Sequence, residues 1–193
     1  MTAKKNGVKM LMLATACALM LILLGIVPAT APRGTQQVAA APAAPVDYAR
    51  ITTVLAANRV FDEQFFDDLN LIEEATIVLL AQSVELEDGS RVIRGSLISD
   101  FCRNLYGREV DLSAANYDNL TAPAGAVAIL PRGYAELTHH NLSATVLEDG
   151  RIEVASSMTV EFDDTVTCNV ITTLAVDESS SFGYRVLGAS IME

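Results

Sequence analysis

The feature that most constrains this chain is the alternation that begins after Tyr134. LTHHNLSATVL, IEVASSMTVEF, TVTCNVITTLAV and FGYRVLGASIM each alternate with a period near two, and EDGR, DD and ESSS separate them. A period of two places successive side chains on opposite faces of a strand, so the segments predict four strands in series. The Asp149-Gly150 pair is a strong hairpin signal and makes the first connection tight. In the second strand Ile152, Val154, Met158, Val160 and Phe162 share one side. In the third, Val166, Cys168, Val170, Leu174 and Val176 do. An antiparallel meander with one apolar face needs a cover.

The cover is expected from the residues before it. DYARITTVLAANRVF sets Tyr48, Ile51, Val54 and Leu55 at helical spacing, predicting a helix that ends near Asn58. A second helix is expected through Leu69, Ile72, Ala75, Ile77, Leu79 and Leu80, with Asp67 or Asp68 as its N-cap. VELEDGSRVI carries Asp88-Gly89 between short alternating segments and predicts a small hairpin or tight turn. A third helix is expected from Ser96 to Tyr106, with Leu97, Ile98, Phe101, Cys102 and Leu105 on one stripe and Gly107 as its stop. The following segment lacks a sustained period and predicts a loop with one short strand, Val127 to Leu130.

Three helices followed by a four-stranded antiparallel meander predict an α+β domain with the helices on the sheet's apolar face. In element order and strand length, residues 46–193 resemble the NTF2-like (cystatin-like) group. That resemblance implies a curved sheet wrapped around a helix and a cone-shaped cavity between them. The phrases AILPRGYAELTHH and SSFGYRV are also similar to exported proteins of Gram-positive anaerobes, a likeness that implies no activity.

The first 45 residues obey different rules. Lys4, Lys5 and Lys9 are the only lysines, and all precede the apolar run MLMLATACALMLILLGIV, residues 10–27. Positive charge before an apolar stretch predicts that residues 1–9 stay cytoplasmic and the remainder lies outside. The run has 18 residues, about 27 Å as a helix, nearly the thickness of the hydrocarbon layer. The small-residue sites Ala29-Thr30-Ala31 and Ala39-Ala40-Ala41 are each followed by proline, Pro32 and Pro42, which disfavours cleavage. Cys17 has much of the run beyond it, unlike the cysteine of a lipoprotein leader. The expectation is a retained transmembrane anchor at 10–27, with a cleaved signal and a secreted product as the alternative. Residues 28–45 hold four of the six prolines among Ala, Thr and Gln and predict a semi-extended linker. The extracytoplasmic domain then runs over 46–193.

From Gly34 onward nine arginines stand against all 24 acidic residues, a formal charge of −15. A surface of that sign repels phosphate backbones, so nucleic acid is not an expected partner. The lack of lysine there removes Schiff-base chemistry from the domain.

Few residues suggest chemistry. His139 and His140 are the only histidines and are adjacent, so a regular strand points them to opposite faces. His140 shares parity with Leu142, Ala144 and Val146 and is expected inward; His139 is expected outward. His140 with a nearby acid such as Asp100 could line a cavity as a general acid or base. Arg132 and Tyr134, at a loop-to-strand junction, are candidate binding residues. Cys102 and Cys168 lie on apolar faces that must meet and could form a disulfide outside the cell. Metal motifs are missing: the chain has no His-x-x-x-His, paired CxxC or complete calcium loop, and neither metal nor cofactor is expected.

The sequence therefore predicts a non-enzymatic module tethered through residues 10–27, binding a protein, peptide or small ligand, or self-associating. An NTF2-like ligand-binding or enzymatic cavity near His140 is one alternative. The arrangement of a short tail, one spanning helix and an outer domain also resembles VirB8-like secretion components, which would make the chain an assembly subunit.

Overall fold

The computed structural model describes residues 46–117, 120, 122–131, 133–162 and 164–192. The apolar run 10–27, the linker 28–45 and Arg132 lie outside the described residues.

Helix α1 spans Tyr48–Ala57 and is capped by Asp47, whose carboxylate accepts from the backbone N–H groups of Ala49 and Arg50. Those donors have no intrahelical partner, which is why a short acid immediately before the helix fixes its start. The helix stops where Asn58 turns extended, and its buried face is Ile51, Val54, Leu55 and Ala57. Asn58 is buried and satisfied: its amide bonds Val60 and its carbonyl oxygen accepts from the Tyr106 hydroxyl at 3.2 Å. Helix α2, Asp68–Val78, is capped by Asp67, which accepts from the Asn70 N–H at 2.9 Å. It buries Leu71, Ile72, Ala75 and Thr76. Helix α3, Gly95–Tyr106, ends at Gly107 in the left-handed conformation, φ 65°. Glycine reaches that conformation without steric cost and satisfies the last carbonyls.

Two short strands, β1 (Val84–Glu85) and β2 (Arg91–Arg94), flank the turn at Asp88-Gly89, and β3 (Ala126–Ala128) pairs antiparallel with β2. The expected hairpin is thus part of a three-stranded sheet ordered β1-β2-β3. The larger sheet is a plain meander of β4 (Glu136–Val146), β5 (Ile152–Glu161), β6 (Thr165–Val176) and β7 (Tyr184–Met192). The domain is α+β, with three helices and two antiparallel sheets among the described residues. No described helix is long and apolar enough to cross a membrane.

One core joins these parts. Ile51, Val54 and Leu55 of α1, Leu71 and Ile72 of α2, and Ile98 and Leu105 of α3 cluster with Ile152, Val154, Leu174 and Val186 of the meander. Each such side chain contributes about 1.5–3 kcal/mol by leaving water. The near end of the sheet's inner face is therefore filled with side chains. The β6–β7 turn is tied to α3 by polar contacts: Ser180 Oγ donates to the Asn104 carbonyl at 2.7 Å, and the Ser181 N–H donates to Asn104 Oδ1 at 2.8 Å.

The strand parity expected for the histidines is reversed. Pairing in β4 runs regularly to His140, opposite Ser157, then resumes at Ser143, opposite Ala155. Asn141, at φ 52°, provides the irregularity. Such a bulge shifts the alternation by one residue. Leu137 and His139 face inward before it and Leu142 and Ala144 after it, while His140 is exposed on the outer face.

Candidate functional site

The described residues enclose a cavity of about 400 Å³ beside the smaller sheet, within the usual range for small-molecule pockets, roughly 300–1,000 Å³. Its walls come from four separate stretches. Helix α2 contributes Glu73, Thr76 and Ile77 and the following turn adds Leu80; the β1–β2 hairpin contributes Asp88, Gly89, Ser90 and Arg91. Tyr117 and Leu120 close one side, and Ile129, Leu130, Pro131 and Tyr134 the other.

The local sequence explains why this space stays open. Of the apolar residues expected on the covered face of α2, Ile72, Ala75 and Leu79 are buried, whereas Ile77 and Leu80 stand only partly covered at the cavity wall. The turn at Asp88-Gly89 lines the same cavity. It is locked by Asp88, whose Oδ1 accepts from the Ser90 N–H at 2.9 Å and from its hydroxyl at 2.6 Å. Those bonds, the Ser90 hydroxyl first, hold the Asp88 carboxyl below its ordinary value. On the opposite wall the Tyr117 hydroxyl donates to Glu73 Oε1 at 3.0 Å, and the Thr76 hydroxyl donates to the Glu73 carbonyl at 2.7 Å.

The polar groups of the lining thus fall into two kinds. Both carboxylates are engaged within the protein, Asp88 by its turn and Glu73 by Tyr117. Arg91 has no ion-pair partner among the described residues, although its backbone carbonyl anchors β3 by accepting from the Ile129 N–H. Tyr134 is half-exposed at the rim. The cavity offers an apolar wall of Ile77, Leu80, Leu120, Ile129 and Leu130, with Arg91 and Tyr134 also in its lining.

The residues singled out in the sequence scatter. Tyr134 lines the cavity. His140 is exposed on the outer face of β4, whereas Asp100 sits on the solvent side of α3 in an ion pair with Arg103 at 2.8 Å. Helix α3 packs on the inner side of the sheet, so the structure does not bring His140 and Asp100 together. Cys102 and Cys168 are both free. The Cys102 thiol is buried against α2, 3.9 Å from the Leu71 carbonyl, and burial, with the Asp68 charge adding to it, pushes its pKa up to about 12. Cys168 is half-buried on β6, 3.8 Å from the Met158 carbonyl. The two thiols occupy different neighbourhoods because α3 packs against the helices and the near end of the sheet, while Cys168 lies toward the far end.

His139, expected outward, is the histidine with structure around it. Its Nδ1 lies 2.9 Å from Ser156 Oγ, and the Phe61 ring lies against it at 6.1 Å between centroids. Burial, with a smaller effect from His140, lowers its pKa. Its Nε2 is buried and, like Thr172 Oγ1, has no hydrogen-bond partner among the described residues.

No known protein family, curated protein or solved structure matches the chain.

Proposed function

We propose that the chain is a membrane-tethered extracytoplasmic binding module whose cavity takes a small amphipathic group, an apolar body carrying one anionic or hydrogen-bond-accepting head. The observation that carries this reading is the division of labour in the lining: both carboxylates are engaged within the protein, whereas Arg91 borders the same apolar wall with no ion-pair partner among the described residues. An apolar pocket with a few oriented polar groups is the usual form of a small-ligand site. The tether rests on the 18-residue apolar run after Lys4, Lys5 and Lys9 and on the prolines that follow both small-residue sites.

The cavity is tested with 4-phenylbutyrate, a ring and short chain ending in one carboxylate, by saturation-transfer NMR on the full chain. Ile77→Asp, which sets a charge in the apolar wall, is expected to abolish the signal, and Arg91→Gln to weaken binding about fivefold to tenfold, the loss of a charge-assisted contact. Equal transfer in the original protein and both variants would sink the proposal. The tether is tested by N-terminal sequencing of the protein from fractionated cells. A start at Thr30 or beyond the linker would replace the anchor with a cleaved signal.

A further inference from the structure

The register of the meander assembles a donor set that no spacing in the sequence reveals. His139 on β4 pairs directly with Met158 on β5, and Met158 pairs directly with Cys168 on β6. Directly opposed residues of an antiparallel pair share a face, with Cβ atoms about 4.5–5.5 Å apart. All three residues belong to the inner face, as the buried alternation Ile152, Val154, Ser156, Met158 on β5 and Val170, Thr172, Leu174 on β6, with half-buried Cys168 in the same parity, shows. An imidazole, a thioether and a thiol therefore stand in one row across three strands.

The histidine in that row is already oriented as a ligand would be. Its Nδ1 lies 2.9 Å from Ser156 Oγ; in the tautomer with the proton on Nδ1 the lone pair is on Nε2, which is buried without a partner among the described residues. Metal-bound histidines are commonly fixed in this way, one ring nitrogen on a neighbouring polar group and the other on the metal. A buried unpaired ring nitrogen is otherwise a net cost to the fold. The span from His139 to Cys168 is two strand spacings, about 10 Å. The imidazole arm, the thiol and two metal–ligand bonds of about 2 Å each match that distance, and Met158 occupies the strand between them.

We propose that His139, Met158 and Cys168 form a binding site for a soft monovalent metal ion, Cu(I). Thiolate and imidazole suit both zinc and copper, and the soft, uncharged thioether of Met158 tips the set toward Cu(I). Hard cations are disfavoured because the row contains no carboxylate, and among the described residues His, Cys, Asp and Glu alone form no metal-holding group of three. Methionine completes the set. Binding is a ligand exchange with no change of oxidation state: the Cys168 thiol gives its proton to solvent as the sulfur–copper bond forms. None of the three residues lines the cavity beside α2, so the site is independent of the binding function proposed for that cavity.

The test is an anaerobic titration of the full chain with Cu(I) against bathocuproine disulfonate, with ascorbate as reductant, followed by X-ray absorption on the copper complex. One Cu(I) per chain is expected, with one nitrogen and two sulfur neighbours. Cys168→Ser and His139→Phe should each weaken binding at least tenfold. Met158→Leu conserves volume and so spares the fold, yet should weaken binding several-fold. Cys17→Ser and Cys102→Ser should leave it unchanged. Failure to bind, binding indifferent to Cys168→Ser or to Met158→Leu in a chain with unaltered circular dichroism, or loss on Cys102→Ser would overturn the assignment.

Discussion

The two ends of the meander's inner face are built from the same alternation and meet different fates. At the near end Ile152, Val154, Leu174 and Val186 are all at most 3% exposed and share one cluster with the helices. At the far end Phe162 and Val166 hold equivalent inner positions, yet are 54% and 58% exposed. Length accounts for the difference. Helix α1 has 10 residues, about 15 Å, whereas β6 has 12, about 40 Å. Helices this short cover part of such a strand and leave the remainder. Alternation tells which face of a sheet is inner; it does not tell how much of that face is covered.

The largest effect that separates the ends is a cavity in the near one. Leu174 is completely buried, and Leu174→Ala should destabilise the protein by about 2–5 kcal/mol, the sum of lost transfer energy and the void left behind. Urea unfolding of the full chain measures it. A loss below about 1 kcal/mol would mean that the near end is no better packed than the far one, and the comparison would fail.

The boundary between the ends runs through the bulge at Asn141, and the next effect belongs there. A β-branched residue at φ 52° is strained, so Asn141→Val should cost on the order of 1–2 kcal/mol. Asn141→Gly should be tolerated within about 1 kcal/mol, because glycine adopts positive φ freely. If valine were tolerated as well, the strand would have slipped to a regular register, with His140 inward and His139 outward. The nuclear Overhauser contact between His139 and Phe61 would then disappear, which makes one variant a test of both stability and orientation.

That bulge marks where the sequence stopped being legible. The cap at Asp67 or Asp68, the stop at Gly107, the turns at Asp88-Gly89 and Asp149-Gly150 and all four long strands were readable, since each is fixed by chemistry within a few residues of itself. His139-His140-Asn141-Leu142 contains no glycine or proline to announce a change of face, so parity carried straight through it predicted the wrong histidine. The cavity was illegible for a different reason. Ile77, Arg91, Tyr117 and Ile129 come from four stretches whose meeting depends on the tertiary packing, and only Tyr134 stood out in advance, by its place at a junction. Cys102 and Cys168 show a third limit: each was assigned to the correct face, but position along the face decides whether two thiols meet.

Acid should act on the near end through its hairpin. Asp177 begins the β6–β7 turn and accepts from the Ser179 hydroxyl and N–H and from Arg185. These bonds, the Ser179 hydroxyl foremost, hold its carboxyl below the ordinary 3.8. A carboxyl lowered in the fold binds fewer protons than in the unfolded chain, so its contribution is present above about pH 4 and is lost as pH falls through the folded value. Urea midpoints between pH 7 and pH 2.5 should therefore decline below about pH 4, and Asp177→Asn should make that decline shallower. An unchanged slope would assign the acid sensitivity to other carboxylates, with Asp67 and Asp149, also held low by backbone N–H groups, the next to replace.

The smallest effect is the most direct test of the comparison. Val166 and Leu174 lie on one strand and one face, eight residues apart, and a scheme based on alternation alone would assign them similar weight. Val166 is 58% exposed, so its methyl groups lose little contact with water on folding, and Val166→Ala should change stability by no more than about 0.5 kcal/mol, the usual range for surface positions. A β-branched residue favours a strand over alanine by a fraction of the roughly 1 kcal/mol scale of strand propensity, which sets the sign as slightly destabilising. A loss above 1 kcal/mol would require that the far end be covered in solution by another part of the chain or by a second copy. Repeating the measurement over a hundredfold range of protein concentration separates those two cases, because only association depends on concentration.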